Sequence, residues 1–122
     1  MKAVHTMILA GAMAAATLAS PFAAAHASLK SASPEAGAVL AAAPRDITLT
    51  FNEKIEEAFS TMTLADAQGK AVVAEKARID ATNPAILRLE VPPLPAGAYS
   101  VTWAVAGHDG HRRKGDFKFT VK

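Results

Sequence analysis

Apolar and polar residues alternate with a period of two along most of this chain, the signature of strands that bury one face. Ile47, Leu49 and Phe51 alternate with Thr48, Thr50 and Asn52. Met62 and Leu64 form a second short run, ended by the turn signal Asp66-Ala67-Gln68-Gly69, and Val72-Val73 predict a short strand beyond it. Leu87, Leu89 and Val91 alternate with Arg88 and Glu90 until Pro92-Pro93, where proline withdraws its ladder donor. Tyr99, Val101, Trp103 and Val105 form the strongest strand, entered through Pro95-Ala96-Gly97, and Phe117, Phe119 and Val121 form the last. Ala27 to Ser33 reads as an opening strand, turned by Pro34 and Gly37. Ala38 to Ala43 reads as a helical turn closed by Pro44. Short strands separated by frequent turn signals predict an all-β single domain, an antiparallel β-sandwich or barrel.

The first residues follow another pattern. Lys2, an apolar run from Met7 to Leu18 and then Ala23-Ala24-Ala25 read as a secretory signal, with small residues at −3 and −1 of a cut after Ala25. Ala25-His26-Ala27 is also a small-x-small site, so local sequence alone leaves open whether His26 is retained. A cut after Ala25 gives a cleaved segment 1–25 and a mature domain 26–122 that begins with histidine. The apolar run falls short of the ~20 residues a membrane span needs and no later segment comes close, so no span is expected in the mature chain.

Charge narrows the choices. Loss of Lys2 takes the thirteen basic residues to twelve against eleven acidic ones, too balanced for a nucleic-acid surface. Arg112-Arg113-Lys114 is the one basic run and reads as a solvated turn between strands. The absence of cysteine excludes disulfides, thiolate metal sites and a cysteine nucleophile. Nothing resembles a nucleophile elbow or a phosphate-binding glycine loop.

The candidate chemistry lies at two ends of the chain. An N-terminal histidine offers its α-amine and imidazole to one metal ion, which an internal histidine cannot do. His108-Asp109-Gly110-His111 adds imidazoles and a carboxylate. Amine, imidazole and carboxylate suit Cu(II), Zn(II) or Ni(II), and Cu(II) favours such a tetragonal N,O set. At a strand end, Asp109 and His111 would share a face, with Gly110 freeing the backbone between them. A D-x-H pair also suits an ordinary surface turn.

The mature chain resembles the CopC family of periplasmic copper-binding proteins along nearly all its length. The resemblance is carried by His26-Ala27-Ser28-Leu29-Lys30-Ser31-Ala32-Ser33-Pro34, Gly37-Ala38-Val39-Leu40 and Pro44, and by Leu49-Thr50-Phe51-Asn52-Glu53. It continues through Leu94-Pro95-Ala96-Gly97-Ala98-Tyr99, Val101, Trp103, Asp109-Gly110-His111, Gly115 and Phe119-Thr120-Val121. It implies a Greek-key β-sandwich, cupredoxin-like or immunoglobulin-like, cleavage after Ala25, and periplasmic Cu(II) binding by His26, Asp109 and His111. Glu53 matches an acidic position near the copper, implying a role in orienting the ligands. An inner-membrane copper transporter is the partner the family suggests.

Two departures qualify the match. Members with a separate Cu(I) site carry a methionine-rich loop, whereas Met1, Met7 and Met13 leave with the signal and Met62 reads as core. Gly107-His108 also differs from the family's usual residues, and strand alternation predicts that His108 points away from the metal. The favoured reading is a non-enzymatic copper carrier or buffer in copper homeostasis or resistance, whose affinity weakens as pH falls through histidine's range. Its rivals are a histidine-brace copper enzyme that activates oxygen, and a sandwich for protein contact with incidental metal binding. Asp109 as an anionic ligand, the small size and the lack of an aromatic row disfavour the enzyme.

Overall fold

The computed structural model describes residues 27–72 and 75–122. They form eight strands: β1 (Leu29–Ser33), β2 (Val39–Leu40), β3 (Asp46–Phe51), β4 (Thr61–Ala65), β5 (Arg78–Asp80), β6 (Asn83–Glu90), β7 (Gly97–Ala106) and β8 (Arg112–Val121). One sheet has the order β1-β3-β6-β5 and the other β2-β8-β7-β4. The chain changes sheet at every connection except the hairpins β5–β6 and β7–β8, as Greek-key sandwiches do. A 3₁₀ turn over Glu57–Phe59 lies between β3 and β4, and no α-helix occurs among the described residues.

The alternating pattern builds the core directly. Ile47 pairs with Leu89 and Leu49 with Leu87 on one sheet, while Met62 pairs with Trp103 and Leu64 with Val101 on the other. These side chains meet in one buried cluster, completed by Phe51, Tyr99, Val105, Phe119 and Val121. Each large apolar side chain withdrawn from water contributes roughly 1.5–3 kcal/mol, so a domain without disulfides can rest on this layer. Phe51 meets Trp103 edge to face at 5.3 Å, which joins the two sheets at the end where β3 stops. The indole needs Gly115 opposite it: a β-carbon there would lie 2.6 Å from Trp103 Cζ2.

Several local expectations give way to tertiary pairing. The Ala38–Ala43 run is no helical turn; it supplies β2, which runs parallel to β8, so the sandwich is not wholly antiparallel. A run this short cannot nucleate a helix in water. The carbonyls of Ala38 and Leu40 accept instead from the N–H groups of Thr120 (2.9 Å) and Lys122 (2.8 Å). Near Val72 the pairing shrinks to one bridge between Ala65 and Ala71 and a bond from the Val72 N–H to the Leu64 carbonyl; Val73 lies outside the described residues. Val91 falls just beyond β6. Arg112-Arg113-Lys114 opens β8 opposite Ala106, Val105 and Ala104 and is part of the strand, not a turn.

Arg88 spans two carboxylates on the sheet formed by β1, β3, β6 and β5, 2.8 Å from Asp46 and 2.8 Å from Asp80. Hydrogen bonds from the Thr82 hydroxyl and then from Arg88 lower the Asp80 pKa from 3.8 to about 2. A carboxylate whose pKa is lower in the folded state stabilises the fold above its unfolded value and loses that contribution as pH falls. Asp80→Asn should therefore flatten the pH dependence of the denaturant midpoint between pH 3.8 and about 2. Equal acid slopes in the two proteins would count against this assignment.

Candidate metal centre

The β7–β8 hairpin closes through residues 107–111. Its turn is held by Gly107 N–H donating to the His111 carbonyl and Gly110 N–H donating to the Gly107 carbonyl, both at 2.9 Å. Gly110 has φ +87°, a left-handed conformation that glycine adopts without a β-carbon penalty. Asp109 folds across this glycine. Its Oδ1 accepts the His111 N–H at 3.0 Å, and its Oδ2 lies 2.8 Å from His111 Nδ1. Asp109 and His111 thus meet through the turn rather than through strand alternation, as an Asx-type link that also orients the imidazole.

The start of the described chain arrives at the same end of the sandwich. Asn52, just past β3, accepts the Ser28 N–H on its side chain at 2.7 Å and donates its own N–H to the Ser28 carbonyl at 3.0 Å. Ala27 is 0% exposed and belongs to the core. The next residue after Asn52 is Glu53, whose carboxylate lies over Gly107 beside that of Asp109. A β-carbon on Gly107 would stand 3.2 Å from Asp109 Oδ1 and 3.5 Å from Glu53 Oε2. Glycine at this position leaves room for two acidic groups above the hairpin, and Ile55 bridges to Gly107 to hold the segments together.

The expected site residues therefore divide into three groups. Asp109 and His111 are in direct contact, and Glu53 lies beside Asp109 over Gly107. His26 lies outside the described residues. His108 sits in the turn, not on a strand, and faces Glu56, with Nδ1 3.6 Å from Glu56 Oε2. Sequence reading gave Asn52 and Gly107 no role at the site. The asparagine after a strand is a turn signal, but its bonds to Ser28 depend on a pairing between distant segments.

Among the described residues, no group of three or more His, Asp or Glu side chains is placed to hold a metal. The imidazole and carboxylate of the turn are donors suited to a borderline divalent ion, and on their own they make a two-donor site. Met62, in β4, is 3% exposed within the core. No helix among the described residues is long and apolar enough to cross a membrane.

Residues 29–122 match the family model for the CopC domain. The fold is similar to the crystal structure of CopC from Methylosinus trichosporium OB3b, with a TM-score of 0.75 and 38% identity over 80% of this chain and 94% of that one. It is also similar to PcoC, a methionine-rich copper resistance protein from Escherichia coli, with a TM-score of 0.73 and 35% identity over 80% of this chain and all of that one. Copper resistance protein C of Xanthomonas campestris pv. juglandis is 35% identical over 116 residues, 90% of this chain and 91% of that protein. The two-sheet fold, the extent of the family match and these likenesses agree, and the chain belongs to the CopC family.

Proposed function

We propose that this protein is an exported Cu(II) carrier or buffer of the periplasm, acting in copper homeostasis or resistance. The mature domain is residues 26–122, and the Cu(II) ligands are the His26 amine and imidazole, Asp109 and His111. Glu53 holds the arrangement from beside Asp109 and adds negative charge next to the ion. The protein binds and releases its cargo without turning over a substrate, and an inner-membrane copper transporter is its recipient.

The observation that supports this reading is the approach of the segment after residue 26 to the end of the sandwich that carries the β7–β8 turn. Ser28 is tied to Asn52, and the neighbouring Glu53 carboxylate shares the space over Gly107 with Asp109. The buried Ala27 also favours a cut after Ala25, because a cut after Ala27 would remove a core residue.

The donor set is hard to borderline and lacks an accessible thioether. Met62 is enclosed in the core, and the three other methionines precede residue 26. Cu(I) favours soft sulfur ligands. One equivalent of Cu(II) should therefore quench the fluorescence of Trp103, which lies on the same hairpin as the ligands. Reduction to Cu(I) should release the metal to a competing chelator and restore the signal, and Met62→Leu should leave Cu(II) binding unchanged. Retention of Cu(I) against the chelator would overturn the assignment to Cu(II) alone.

A further inference from the structure

We propose that Glu56 and His108 form a second, weaker site for a divalent transition metal, beside the first and separate from its ligands. Both residues are fixed at the backbone. Glu56 donates its N–H to the Ala106 carbonyl at 2.9 Å, and its own carbonyl accepts the Phe59 N–H at 3.1 Å and the Ser60 hydroxyl at 2.7 Å. Ser60 is buried and its oxygen accepts the Ala106 N–H at 3.3 Å, which locks this corner onto the end of β7. His108 rides on the turn closed by the Gly110 and Gly107 N–H bonds.

The separation of the two side chains is the informative quantity. His108 Nδ1 and Glu56 Oε2 are 3.6 Å apart. That is longer than the ~3.2 Å of an N–H···O hydrogen bond but within ion-pair reach, so the two groups face each other across a gap that an ion can also fill. An ion with metal–nitrogen and metal–oxygen bonds of about 2.0–2.2 Å would span it with an angle of about 120° at the metal. The Asp109–His111 contact is 2.8 Å, an ordinary hydrogen bond. The side chains of His108 and Glu56 are 72% and 47% exposed, so an ion reaches them directly and completes its shell with water.

Two protein donors make a weak, rapidly exchanging site. Arg112 lines the same groove, and its charge opposes a bound cation. An ion already held by the neighbouring Asp109–His111 turn opposes it too, so the second site fills after the first. Imidazole and carboxylate donors place Cu(II) ahead of Zn(II) in affinity.

Titration of Cu(II) into the exported chain, followed by calorimetry and by electron paramagnetic resonance at one and two equivalents, tests this. Two binding events are expected. His108→Ala should weaken the second at least tenfold and leave the first unchanged. Glu56→Gln should weaken the second, and Arg112→Gln should strengthen it. The second event should persist in Asp109→Ala and His111→Ala, so its failure and failure of the first site are distinguishable. A single event in the unaltered protein, or a second event of undiminished strength in His108→Ala, would overturn the proposal.

Discussion

An exported chain with one extra residue ahead of His26 should bind Cu(II) at least about 100-fold more weakly than a chain that begins with His26. The extension turns the α-amine into an amide, whose lone pair is delocalised into the carbonyl and which must give up its proton before it can bind the metal. The chelate of amine and imidazole is lost even though the histidine remains. Removing a partner that merely orients a metal ligand costs about 10–100-fold in affinity, so loss of a direct ligand belongs at or beyond the upper end. Acetylation of the amine should act in the same way. The fold should be unaffected, because the ties that seat the chain start involve Ala27, Ser28 and Asn52. Competition titration against a chelator of known affinity gives the comparison, and equal affinities would remove the N-terminus from the site.

His111→Ala and Asp109→Ala should each cost a similar factor. The expectation follows from their roles in the turn. His111 supplies an imidazole donor, whereas Asp109 supplies a carboxylate and also orients that imidazole through the 2.8 Å contact. The double variant should lose less than the product of the two single losses, because each removal damages the same unit. Asp109→Asn separates the roles: an amide oxygen can still accept the His111 N–H, but the negative charge is gone. Affinity near that of Asp109→Ala would assign the effect to charge and coordination. Recovery to the unaltered value would assign Asp109 to turn geometry. Unchanged circular dichroism is expected throughout, since the turn is exposed and the core lies elsewhere.

The core was readable in advance because period-two burial is a local property. Ile47, Leu49, Phe51, Leu87, Leu89, Val101, Trp103 and Val105 all face inward as their alternation predicts. Strands defined by pairing rather than by their own composition were not readable. The short β2 exists through its bonds to β8, and β5, only Arg78 to Asp80, is held by β6 and by the Arg88–Asp80 contact. The site shows the same division. Asp109-Gly110-His111 stands out in the sequence as a short run of chemistry, and the structure brings the two ligand candidates together, though by a turn. The space over Gly107, the tie between Asn52 and Ser28, and the approach of His108 to Glu56 are products of the folded arrangement. No spacing along the chain encodes them.

In the proposed function, removal of a leader creates the Cu(II) site by exposing the amine of His26, and the mass of the exported protein decides the point. A chain that begins with His26 is expected. A chain beginning at Ser28, or one that retains the residues before His26, would contradict it.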